Sequence, residues 1–191
     1  MSDKSTRDRI IEASDRLFYQ QGFEETSFAH IADAVGLSRG NFYHHFKSKD
    51  QILDAVICAR MDATRQMLAR WELDGAGPEE RILCFIHILL VNQAKIMDFG
   101  CPAGTLCTEL AKLSHPARED ASRVLSLFRA WLRGQFELLG HGKDADGLAM
   151  HVLARSQGVA TLANAFRDEA FVRNEVATLR DWLKGVNNCL S

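Results

Sequence analysis

Apolar residues recur at intervals of three and four along nearly the whole chain, and alternation at intervals of two is almost absent. That spacing places side chains on one face of a helix and cannot line one face of a strand. Ile10, Ala13, Leu17 and Phe18 predict a first helix from about Arg7 to Gln20, with Gly22 as its stop. Phe28, Ile31, Ala32 and Val35 predict a second, opened by Thr26 or Ser27 as N-cap and closed by Gly36. A short third helix from Arg39 to Phe46 follows Ser38, with Phe42 and Phe46 facing inward. Ser48-Lys49-Asp50-Gln51 has the S-x-x-Q form of a capping box and opens a long fourth helix that carries Ile52, Leu53, Val56 and Met61 to about Trp71.

Gly75-Ala76-Gly77-Pro78 is the clearest break. The next helix is apolar on nearly every side from Ile82 to Val91, the pattern of a buried centre, with His87 as a core residue or a polar pocket group. Gly100-Cys101-Pro102 interrupts it, and Pro102 fits the first position of another helix. His115-Pro116 opens one bearing Val124, Leu125, Phe128, Trp131, Leu132 and Phe136, and Gly140-His141-Gly142 is the next turn. The last two helices span roughly Asp144 to Phe166 and Glu169 to Gly185. The expectation is an all-α fold of about nine helices. With 191 residues, 47% of them hydrophobic and only 3 prolines, the chain has material for a small head and a larger body.

Charge in total does not point to nucleic acid: 23 basic against 25 acidic side chains give a net −2. The first 57 residues hold seven Lys/Arg against nine acids. Distribution reverses this locally, since the stretch from Gly36 to Lys49 carries three basic residues, two His and no acid. The first residues lack the apolar run of a signal peptide, and the stretch from Ile82 to Val91 falls short of the roughly 20 residues that span a bilayer. Five cysteines (58, 84, 101, 107 and 189) without CxxC spacing disfavour a disulfide framework and a zinc site. A cytoplasmic protein with no membrane partner, no metal and no cofactor is therefore expected. No P-loop, G-x-G-x-x-G or Ser/His/Asp arrangement is present. An enzyme built on Cys101 or Cys107 as nucleophile is thus disfavoured.

Two short helices joined by a glycine turn, the second flanked by basic residues, form the pattern of a helix-turn-helix. Ile31, Ala32, Val35, Leu37, Phe42 and Phe46 supply a small core, while Arg39, Asn41, Tyr43, His44 and His45 project from the opposite face. The stretch Thr26-Ser27, Ile31-Ala32, then Gly36-Leu37-Ser38-Arg39-Gly40-Asn41-Phe42-Tyr43-His44-His45-Phe46-Lys47-Ser48-Lys49 resembles the DNA-binding domain of TetR-type (TetR/AcrR) transcriptional regulators. The resemblance is close over residues 6–57 and architectural beyond them. It implies a DNA-binding domain at 6–57 and an effector-binding and dimerisation domain at 58–191. It implies that Tyr43, His45, Lys49 and Thr26 or Ser27 hold phosphates, and that Arg39, Gly40 and Asn41 face base edges, with His44 able to do either. Arg suits guanine and Asn suits adenine.

The same resemblance implies a homodimer on a palindromic operator of double-stranded DNA, most simply a repressor released by a small-molecule effector. An architectural DNA-binding protein is the alternative, disfavoured by the helical body from residue 78 onward. The last two helices would pair across the two-fold axis, with Ala154, Ser156, Gly158, Ala160 and Ala163 allowing close approach and Val172, Val176, Leu179 and Leu183 offering a stripe. Packing of these residues within one subunit is the other reading. Phe85, Phe99, Phe128, Trp131 and Phe136 are candidates to line an apolar effector pocket. Gly100-Cys101-Pro102-Ala103-Gly104-Thr105-Leu106-Cys107 resembles a subgroup in which some relatives respond to electrophiles or oxidants through a cysteine. Cys101 is the candidate sensor, set against a packing role.

Overall fold

A computed structural model describes residues 5–75 and 77–188, apart from the side chain of Arg39. Among the described residues there are ten α-helices and no strand: α1 (Thr6–Gln21), α2 (Phe28–Val35), α3 (Arg39–His45), α4 (Lys49–Asp74), α5 (Pro78–Val91), α6 (Gln93–Phe99), α7 (Pro102–Lys112), α8 (Arg118–Leu138), α9 (Ala145–Phe166) and α10 (Glu169–Asn188), with a 3-10 turn at Gly142–Asp144. The all-α architecture is the expected one. The apolar segment after Pro78 divides at Asn92, whose side-chain amide donates to the Ile88 carbonyl at 3.1 Å and whose backbone (φ −105°, ψ 14°) leaves the helical region. No single helix among the described residues is long and apolar enough to cross a membrane.

The residues fall into two compact units. The first holds the chain up to Ala63 together with Thr105–Val124, and the second holds Thr64–Gly104 with the chain from Leu125 onward. Helices α4, α7 and α8 each contribute residues to both. In the first unit, Ile10, Phe18, Phe23, Ile31, Val35, Phe42, Phe46, Ile52 and Leu53 are buried, as are Leu106 and Leu110 of α7. Leu37 is only half-buried, so it contributes less to the small core than its position suggests.

In the second unit α5 packs against α9 and α10, and α6 against α9. One face of α5 supplies Ile82, Phe85, Ile86 and Leu89 to a core shared with Leu132, Phe136, Val152 and Val159. The α5 helix is therefore not buried on all sides: His87 is exposed, outside both roles expected of it, and Val91 is 82% exposed. The physical reason is that α5 is covered on one flank, and positions 87 and 91 share the open one. The stripe Val172, Val176, Leu179 and Leu183 of α10 lies in this same core, which settles those residues as packing within one chain. Each such aliphatic side chain contributes about 1.5–3 kcal/mol by leaving water. Polar links hold the periphery: the Arg81 guanidinium donates to the Glu72 carbonyl (3.0 Å), and Asn187 donates to Glu79 (3.0 Å).

Candidate nucleic-acid interface

Serine N-caps open both α2 and α3, and a glycine closes α2. The Ser27 hydroxyl accepts the His30 N–H at 3.2 Å, and His30 Nδ1 accepts the Ser27 N–H at 3.3 Å. The reciprocal pair is a capping box closed by histidine rather than Glu or Gln. Gly36 ends α2 in the left-handed region (φ 67°, ψ 35°), where the Leu37 N–H reaches the Ala32 carbonyl at 3.0 Å. Ser38 then caps α3 by accepting the Asn41 N–H at 3.4 Å. The α2–turn–α3 geometry of a helix-turn-helix follows from these local bonds and from burial of Phe42 and Phe46.

The outer face of α3 presents Gly40, Asn41, Tyr43 and His44 to solvent, and His45 is half-buried. The Arg39 side chain lies outside the described residues. A Cβ built on Gly40 would meet nothing within 4 Å, so the protein itself gives no packing reason for a glycine there. Tyr43, 45% exposed, lies against Phe28 of α2 with ring centroids 5.4 Å apart and planes 28° apart. Phe28 in turn meets Phe42 edge-on at 5.3 Å. Phe28, expected from the sequence only as part of the inward stripe of α2, thus packs against both the buried Phe42 and the exposed Tyr43.

The basic residues around α3 are anchored to helix ends and turns. Lys47 donates to the Tyr43 carbonyl, Arg9 to the Val35 carbonyl (2.9 Å), and the Arg7 guanidinium sits 5.0 Å over the Phe46 ring. Lys49 donates to the carbonyls of Phe23 (2.9 Å) and Glu24 (3.1 Å), with its ammonium 4.3 Å over the Phe23 ring. Two of its three donors are thereby committed. Thr26 is fully buried and donates to the Gly22 carbonyl at 2.6 Å, whereas Ser27 is exposed. At the start of α4, Ser48 accepts the Gln51 N–H as the S-x-x-Q pattern predicts, but the Gln51 side chain reaches the Lys47 N–H (2.9 Å), one residue before the N-cap.

The aromatic set expected for an effector is only partly gathered. Phe85 is buried and meets Phe128 edge-on at 5.2 Å, both within the second unit's core. Trp131 lies against Trp71 at 5.6 Å and donates its indole N–H to the Glu72 carboxylate at 2.8 Å. Phe136 is fully buried against His141 and Trp182. Phe99 closes α6, and the half-buried Cys101 immediately precedes α7 and packs against the core. Burial pushes the thiol of Cys84 up, and the Asp74 carboxylate pushes it further. No group of three or more His, Cys, Asp or Glu among the described residues is placed to hold a metal ion.

Comparison with known proteins agrees with the head geometry. The family described as bacterial regulatory proteins, tetR family, matches residues 10–56. The transcriptional regulator LmrA of Bacillus subtilis is 31% identical over 192 aligned residues, covering 100% of this chain and 97% of that one. The regulator TtgR of Pseudomonas putida is 30% identical over 169 residues, covering 82% and 79%. A TetR regulator from Legionella pneumophila shares the fold with a TM-score of 0.82 at 23% identity, over 97% of this chain and 99% of that one. All three relatives are transcriptional regulators. A capped helix-turn-helix head on a helical body, matched along its whole length by such regulators, makes this chain a member of the TetR family of DNA-binding transcriptional regulators.

Proposed function

We propose that this regulator is a repressor that binds an inverted-repeat operator as a homodimer and is released by a small-molecule effector. Residues 6–57 act as the DNA-binding domain, and residues 58–191 act as the effector-binding and dimerisation domain. The observation that carries the reading is the outer face of α3: Gly40, Asn41, Tyr43 and His44 exposed, within a stretch free of acidic side chains. Asn41 and Arg39 read base edges, with Gly40 admitting close approach. Tyr43, His45, Ser27 and the remaining donor of Lys49 hold phosphates. The burial of Thr26 favours Ser27 between the two. Dimerisation is supported by an exposed i, i+4 stripe on α9, Met150, Ala154, Gly158, Leu162 and Phe166, where Phe166 is 71% exposed. The effector is held beside Phe85, Phe128 and Trp131, with Phe99 and Cys101 at the α6–α7 junction.

Footprinting on a duplex that the protein selects from a randomised pool tests this. Two protected half-sites related by a dyad are expected, about 10 base pairs apart or a multiple of that. Arg39→Ala and Asn41→Ala relax preference at particular base pairs, and Tyr43→Phe weakens binding to every sequence. Protection of one asymmetric half-site by a monomer would overturn the dimer reading. Equal loss across all sequences for all three variants would overturn the assignment of base readers.

A further inference from the structure

Glu109 of α7 has both carboxylate oxygens on the turn between α1 and α2. Oε2 accepts the Phe23 N–H at 2.9 Å and Oε1 accepts the Glu24 N–H at 2.9 Å. The carbonyls of the same two residues are held from the start of α4 by the Lys49 ammonium. The Phe23–Glu24 peptide groups are therefore gripped by an anion on their donors and a cation on their acceptors. Glycine at position 22 makes room for the anion, since a Cβ there would lie 2.8 Å from Glu109 Oε1. The segment after α7 adds a second grip: the His115 ring meets Phe23 edge-on at 5.2 Å, and its Nε2 lies 3.5 Å from the Asp50 carboxylate. His115 Nδ1 accepts the Ala117 N–H at 3.1 Å, which leaves Nε2 as the donor towards Asp50. All of these residues belong to the first unit.

We infer that Glu109 is a positioning residue for DNA binding: by holding the two amides of the α1–α2 turn it fixes the carbonyl pair that aims the Lys49 ammonium. Charge-assisted bonds from a carboxylate to two backbone N–H groups are strong and directional. With the turn fixed, Lys49 presents its third donor from one place. With the turn released, the ammonium follows a mobile loop, and a phosphate contact made through it must first order both. The inference rests on the reading that the head binds DNA through phosphates at this edge.

The test uses the full-length protein and a duplex that the parent selects from a randomised pool. Amide hydrogen exchange without DNA reads the clasp directly. In Glu109→Ala the Phe23 and Glu24 amides exchange at least about tenfold faster while the amides of α1 keep their protection. Glu109→Gln keeps an acceptor oxygen and is expected to lie between the two. With DNA, Glu109→Ala binds about five- to tenfold more weakly, and its log–log salt dependence falls by about one unit of slope, as expected for one lost phosphate contact. Adding Glu109→Ala to Lys49→Ala costs little beyond Lys49→Ala alone, because both act through one contact. A merely structural role lowers the unfolding midpoint, leaves the salt slope unchanged and adds to Lys49→Ala, and that result overturns the inference. Unchanged exchange at Phe23 and Glu24 in Glu109→Ala also overturns it. Should Glu109→Ala fail to fold, Glu109→Gln carries the same three measurements. Failure of the parent to select any duplex overturns the DNA-binding reading itself, and this inference with it.

Discussion

Gly40 is the cleanest place to separate what the fold needs from what DNA binding needs. It is the second residue of α3, exposed, and a Cβ built there meets nothing within 4 Å. Glycine within a helix costs about 0.5–1 kcal/mol relative to alanine, because more backbone freedom is lost on folding. In the first turn the smaller figure applies, so Gly40→Ala is expected to stabilise the free protein by about 0.5 kcal/mol. If the backbone of Gly40 approaches a base edge or a phosphate, the added methyl instead overfills that contact. Overpacking of this kind costs about 1–3 kcal/mol, or roughly a 5- to 150-fold loss of affinity. Urea unfolding at fixed protomer concentration reads the first quantity, provided the slope m stays constant. Fluorescence anisotropy with a selected duplex at fixed salt reads the second. The reasoning fails if Gly40→Ala is destabilised by more than about 1 kcal/mol, or if it binds DNA as tightly as the parent.

Two other glycines are predicted to differ from Gly40 and from each other. Gly36→Ala is expected to lose about 1–2 kcal/mol of stability from left-handed strain alone, since its Cβ also finds open space. Gly22→Ala is expected to lose more: its backbone (φ 91°, ψ 160°) is nearly glycine-only, costing about 1–3 kcal/mol, and the Glu109 carboxylate must also retreat. Urea midpoints in the reverse order would contradict this. Phe28→Leu removes the ring under Tyr43 and is expected to weaken DNA binding by about threefold to tenfold with little change in base preference, in line with about 0.5–1.5 kcal/mol for an aromatic pair. A binding curve identical to the parent's would deny Phe28 that role. Among the thiols, the exposed Cys58 is expected to be alkylated by iodoacetamide well before the half-buried Cys84, whose ionisation burial and Asp74 oppose. Peptide mass mapping after timed quenching gives the order.

The helices of the head were legible because their signals are local. Ile31, Ala32 and Val35 fall on one face, Ser27 and Ser38 stand where caps are needed, and Gly36 sits where the chain must turn left-handed. The capping partner His30 was missed because imidazole is an unusual acceptor in that position, although its spacing is the ordinary one. The break at Asn92 was missed because an apolar run carries no periodic signal of where it ends, and the side-chain bond to Ile88 that marks the site is a property of the folded backbone. The buried stripe of α10 was readable as a stripe, but spacing alone does not say which surface covers it. Within the candidate interface, exposure of Asn41, Tyr43 and His44 followed from the burial of Phe42 and Phe46 one face away. The clasp on Phe23 and Glu24 was beyond local reading, since its carboxylate stands 86 and 85 residues along the chain.

The discontinuity of the first unit bears on how such regulators can be recombined. Domain exchange in the laboratory is most convenient at a single cut, and the end of the recognisable family segment near residue 56 invites one. A hybrid joined there would leave behind Thr105–Val124, and with it the buried Leu106 and Leu110, the carboxylate on the α1–α2 turn and the imidazole on Phe23. The transplanted head would keep every residue proposed above to face DNA and lose part of the first unit's buried lining. Successful grafts therefore need a donor body whose corresponding helix brings an acceptor to the same two amides, or an insert that carries residues 105–124 along with the head. Compatibility between heads and bodies in this family is in that sense a matter of matched seams rather than of interchangeable modules.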